Sequence, residues 1–152
     1  MRKCILSIYI YILLIVIGAT LTSCMQNGGN IGYLYGQWRL EEVTHDNTTS
    51  VCDTVFFSFQ SDVFQIRKII YNSYDYSVFM GLYQHSDNHI KFNIYNHNSK
   101  EVISEEDKQA MLIDLASLHI DTTSPLFQVI KLDNRYMTLE YNDYKYHFKK
   151  LN

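Results

Sequence analysis

Catalysis or metal binding in this chain would have to start from a small set of side chains. His85-Ser86-Asp87-Asn88-His89 puts two imidazoles and a carboxylate into one short run. A metal site needs three or four ligands converging from fixed elements, and this run reads first as a solvated turn, so no metal ligand is expected. Cys52 is either a nucleophile or a shielded spectator thiol. The sequence places no base beside it, and the spectator is expected. Glu105-Glu106-Asp107 could pair carboxylates for acid–base work, yet directly behind Ser104 they also suit the first turn of a helix. His-Glu-x-x-His, paired-cysteine, glycine-rich phosphate and Gly-x-Ser-x-Gly motifs do not occur. No catalytic residue, no cofactor and no enzymatic activity are therefore expected.

The chemistry written most sharply into the chain belongs to Cys24. Arg2 and Lys3 precede an apolar run over residues 5–17, broken only by Ser7, and Gly18-Ala19-Thr20 follow as small residues. Such a run is shorter than the roughly 20 residues a bilayer span needs, and has the length of an export signal. The next four residues, Leu21-Thr22-Ser23-Cys24, resemble the lipobox of bacterial lipoproteins. That resemblance implies cleavage before Cys24 and acylation of its thiol; the alternatives are an ordinary secretory signal or an amino-terminal membrane helix. Each buried methylene contributes about 0.8 kcal/mol, so two or three acyl chains would anchor the protein stably. Met25 and Gln26 leave no aspartate of the kind that retains lipoproteins in the inner membrane. The resemblance thus favours the outer membrane and a periplasm-facing domain, with surface exposure left open. The organisation read from this is a signal over 1–23, a lipidated tether over 24–34 and one folded domain over 35–152. With Cys4 removed and Cys24 acylated, Cys52 has no intramolecular partner, and the domain must be held by burial.

A formal charge of −3 that becomes more acidic once Arg2 and Lys3 are removed argues against a nucleic-acid partner. Thirteen Tyr and eight Phe with a single Pro favour pleated, half-buried surfaces. The mature length suits one hydrophobic core.

From Tyr35 onward the apolar residues recur every second position, in short segments. Strands are expected over 36–43, 54–60, 63–70 and 74–83, and a fifth after the turn 84–89, over about 90–95. The polar stretch 45–50 reads as a loop. Ser104 with the acids behind it starts a helix over 105–118, carrying Met111, Leu112, Leu115 and Leu118 as an apolar stripe. Three further strands, 126–132, 136–141 and 144–150, are separated by the turn formers Asp133-Asn134 and Asn142-Asp143. Eight such antiparallel strands can rid themselves of edges by closing. The expected fold is all-β: an eight-stranded up-and-down barrel with one helix inserted between strands five and six.

Gly36-Gln37-Trp38 at the start of the first strand resembles the Gly-x-Trp signature of the lipocalin-like family, and Phe57-Ser58-Phe59-Gln60 to Phe64-Gln65-Ile66-Arg67 is similar to the second hairpin of lipocalin-like domains in bacterial lipoproteins. The resemblance implies that Trp38 packs across the closed end. It departs from the family in carrying its helix inside the strand order, not after the last strand; related barrels of the fatty-acid-binding type stay open.

An eight-stranded barrel is either filled by its own side chains or holds one small ligand. The residues assigned to the interior are large and include no glycine, so a narrow or partly collapsed cavity is expected. Its candidate ligand contacts are Trp38, Phe57, Phe59, Phe64, Tyr76, Met80, Phe92, Met137, Tyr141 and Tyr146, with a slim hydrophobic molecule as occupant. The competing expectation is a packed barrel whose outward aromatics, assigned as Phe56, Phe79, Tyr83, Tyr95 and Phe127, dock another envelope protein.

Overall fold

The computed structural model describes residues 32–70, 75–95 and 104–151. Cys24, the signal, the tether up to residue 31, the expected first residue of the fourth strand, Tyr74, and the link 96–103 lie outside the described residues.

The strands are β1 (Gly36–His45), β2 (Thr48–Val51), β3 (Val55–Gln60), β4 (Val63–Ile70), β5 (Asp75–Ser86), β6 (His89–Tyr95), β7 (Leu126–Leu132), β8 (Tyr136–Tyr141) and β9 (Tyr144–Lys150), with helix α1 (Glu105–Ala116) between β6 and β7. All pair antiparallel with their neighbours, and β9 returns to pair with β1 from Trp38↔Lys150 to Thr44↔Lys145, closing an eight-stranded barrel. Register shifts at Leu40/Glu42 and at Val129/Lys131 put one bulge in β1 against β9 and one in β7 against β8; bulges add the local twist that closure requires.

β2 is an addition to the expected order. It folds back on the second half of β1, while the first half of β1 pairs with β3. The stretch expected as a loop contains Asp46-Asn47, both in the left-handed region at φ 48 and 63. Two such residues make the turn whose twist matches a hairpin. Asn142-Asp143, at φ 49 and 64, make the same turn between β8 and β9. Ser104 caps α1 as expected: its Oγ accepts from the Asp107 amide at 3.1 Å.

β5 presents the opposite phase from the one expected. Ile66 pairs with Phe79 and Phe64 with Gly81, so Phe79 and Gly81 face inward while Tyr76, Val78, Met80 and Leu82 face out. The strand is apolar on both faces, so alternation alone could not choose. The choice is made by Gly81, where a Cβ would lie 1.9 Å from the Asn93 carbonyl oxygen and 2.7 Å from the Phe64 ring. Only glycine allows the two strands and that ring to approach so closely.

Candidate functional site

Three levels can be followed through the barrel. At the closed end Trp38 is fully buried, its Nε1 donates to the Leu34 carbonyl at 2.8 Å, and Lys150 Nζ lies 5.0 Å from its ring centre. Burial pushes the Lys150 ammonium below its ordinary value. This is the role the Gly-x-Trp resemblance implied.

The waist is filled by rings. Phe92 on β6 touches Phe57 at 6.3 Å, Phe59 at 6.0 Å, Phe64 at 4.6 Å and Phe127 at 5.3 Å, mostly edge to face. Phe57 in turn meets Phe148 at 4.9 Å, and Phe127 meets Tyr146 at 5.4 Å. Each of these rings is at most 2% exposed. Such spacings are those of packed aromatic pairs, so the expected narrow cavity is collapsed at this level into a core.

The opposite rim, formed by the end of β1, β4 and β8 and the start of β9, is covered by α1 and the turn behind it. Met111, Leu115, Leu118 and Ile120 are buried there as part of the same core. Tyr146 donates its hydroxyl to the Leu118 carbonyl at 2.8 Å, and burial holds that phenol well above its ordinary pKa. Lys68 Nζ donates to Ser117 Oγ at 2.7 Å. Tyr144 lies between His45 and His119, each stacked on it at 4.1 Å. Tyr141 donates to Asp121, and burial together with that carboxylate pushes its phenol up to about 12.

Of the ten assigned contacts, Trp38, Phe57, Phe59, Phe64, Phe92, Met137 and Tyr146 lie inside, and Tyr141 is half-buried at the rim. Tyr76 and Met80 do not: both face outward on β5, and Tyr76 is 62% exposed. Among the residues assigned outward, Phe79 and Phe127 are buried in the core and Tyr83 packs edge to face on Phe59 at 5.2 Å. Phe127 was missed because β7 is also apolar on both faces. Leu126 and Ile130 take the outside, 54% and 48% exposed.

The outward row of β5 borders an open groove of about 580 Å³ between β4 and β5, lined by Gln65, Arg67, Ile69, Asp75, Tyr76 and Val78. The Arg67 guanidinium lies over the Phe56 ring at 5.2 Å, with its Nε buried and lacking a hydrogen-bond partner. His85 and His89 sit at the β5–β6 hairpin, and burial lowers the His85 imidazole. Cys52 is half-buried against the core, and burial pushes its thiol up, away from the thiolate a nucleophile needs. Among the described residues no three His, Cys, Asp or Glu side chains converge to hold a metal ion.

Comparison with known proteins agrees with this geometry. A family profile described as a lipocalin-like domain matches residues 19–151. A crystal structure of a lipocalin-like protein from Bacteroides uniformis superposes with a TM-score of 0.63 at 22% identity, covering 79% of this chain and 100% of its own. An uncharacterized protein from Bacteroides eggerthii gives 0.61 at 28% identity, over 78% and 99%. No curated protein matches the sequence.

Proposed function

Because this chain belongs to the lipocalin-like domain family, we propose that it is a non-enzymatic, lipid-anchored envelope protein whose packed barrel docks another envelope protein through its outer wall. The anchor in this reading is an acylated Cys24, and the lipobox resemblance followed by Met25 and Gln26 supports the outer membrane and a periplasm-facing domain. The observation that carries the docking role is the outward row Tyr76, Val78, Met80 and Leu82 beside the β4–β5 groove. The solvent face of an antiparallel wall is ordinarily polar, and a contiguous apolar row there is what a partner covers. The ring-filled waist argues the same way, since it takes from the barrel the room a carrier needs.

A photo-reactive residue at Tyr76 tests the reading in cells. It gives one stoichiometric cross-linked partner if this wall is the docking surface, and Val78→Lys removes that product. Cross-links scattered over many proteins, unaffected by Val78→Lys, would contradict it.

A second reading, a slim hydrophobic ligand held beneath α1, is favoured by one observation. The underside of the helix is apolar at Met111 and Leu115, and the hydroxyls of Tyr141 and Tyr146 stand at the same rim. In that reading ligand and helix compete for the mouth of the barrel.

A further inference from the structure

We propose that the closed end of the barrel, on the side of the β7–β8 turn and the end of β9, is a docking surface for the anionic headgroups of the membrane that carries the chain. This rests on the reading of Cys24 as the anchor and adds to it the orientation of the domain.

Only residues 25–31 separate Cys24 from Gly32, and seven residues span at most about 25 Å even when fully extended. The described chain enters the barrel at this end: Tyr33 offers its carbonyl to Lys150 Nζ at 2.7 Å, beside buried Trp38. An acylated chain must therefore hold its closed end close to the bilayer. At such a distance a weakly attractive surface acts at high effective concentration.

Tyr33, Tyr35 and Tyr136 are 60%, 45% and 45% exposed around this corner. Tyr136 is the cross-strand partner of Lys149, and Lys131 Nζ lies 5.3 Å from the Tyr136 ring centre. Asp133, on the same corner, is absorbed locally: it accepts the amides of Arg135 and Tyr136 and pairs with Lys131 at 3.2 Å. No described carboxylate pairs with Arg135 or Lys149. Asp62 and Asp87 stand in the β3–β4 and β5–β6 turns across the same end, so one side of it is basic and the other acidic. A basic, tyrosine-rimmed corner on a chain of net charge −3 fits an anionic lipid surface, where tyrosine favours the headgroup level and each Lys or Arg adds attraction.

The test uses the processed chain from residue 24 with Cys24→Ser, so that binding does not depend on acylation; residues 32–151 close their own barrel and core. Sedimentation at low salt with vesicles of phosphatidylglycerol and phosphatidylcholine is compared with phosphatidylcholine alone. The expected result is binding to the anionic vesicles only, reversed by salt. Combined K131E, R135E and K149E should weaken it roughly tenfold or more, and the milder K131Q, R135Q and K149Q should act in the same direction if charge reversal unfolds the domain. Reversing Lys68, Lys91 and Lys145, which lie away from this corner, should weaken it far less. No anionic binding, equal loss from both sets, or capture of this corner by an acidic protein without vesicle binding would overturn the proposal. The anchor is judged separately, by the mass of residue 24 in protein extracted from membranes, so either idea can fail alone.

Discussion

At the waist of the barrel six phenylalanines meet ring to ring, whereas at the rim the turn behind α1 is tied down by one tyrosine hydroxyl, one lysine and one stacked histidine over a smaller apolar contact. The waist is held by burial, which has no titrating group and loses little when one partner shifts slightly. The rim adds directional links, two of them hydrogen bonds that removing a single atom or charge would cut. Local opening should therefore begin at the rim, where directional links supplement a smaller apolar contact, and leave the waist intact.

Phe92→Ala removes the ring that four others contact and should cost about 3–5 kcal/mol, read as a lower denaturant midpoint with an unchanged slope. If Phe92→Ala costs under about 1 kcal/mol, the rings are not the frame. The rim should respond more weakly and locally. Tyr146→Phe leaves the buried Leu118 carbonyl without its donor, for a loss of about 1–3 kcal/mol. Hydrogen exchange should then rise over residues 111–120 and stay unchanged in β3 and β6.

The same hydroxyl sets a pH dependence. Its folded pKa is raised above the ordinary 10.0 by burial, so the folded state keeps a proton that the unfolded chain gives up. The associated stability is fully present below pH 10 and is lost as pH rises beyond it. Denaturant melts between neutral pH and pH 11 should show this loss, and Tyr146→Phe should make it shallower, with the raised phenol of Tyr141 supplying part of what remains. The smallest effect is expected from His119→Ala, which removes one face of the stack on Tyr144 and should cost about 0.5–1.5 kcal/mol, again visible chiefly in exchange over the helix.

The same contrast explains what could be read from the residues alone. Strands β4, β8 and β9 have the expected boundaries and β3 begins one residue later, at Val55, and Phe57, Phe59, Phe64, Ile66, Met137, Leu139, Tyr146 and Phe148 face inward as expected. The capped helix starts where expected, because Ser104 accepts the Asp107 amide and the acids behind it suit the positive end of the helix dipole, and it ends two residues early, at Ala116. β5 and β7 did not reveal their facing, since each carries large apolar residues on both sides; the deciding fact at β5 is a close backbone approach at Gly81, visible only once β6 is in place. β2 was legible in principle, in an Asp46-Asn47 pair flanked by Thr and Val. That α1 would cover the mouth of the barrel was not, because nothing local to the helix specifies which surface its apolar residues meet. The interior half of the candidate site was therefore largely foreseen, and the outward groove was missed for the same reason that Tyr76 and Met80 were placed inside.

Titration of the intact protein with a fluorescent fatty acid shows whether the barrel has room for a ligand. A filled barrel predicts no saturable binding to the wild-type chain, and a new site only in Phe92→Ala, where deleting the ring opens an apolar void. One saturable site per wild-type chain, displaced by unlabelled fatty acid and weakened by Tyr146→Phe, would contradict it and return the barrel to the role of a carrier.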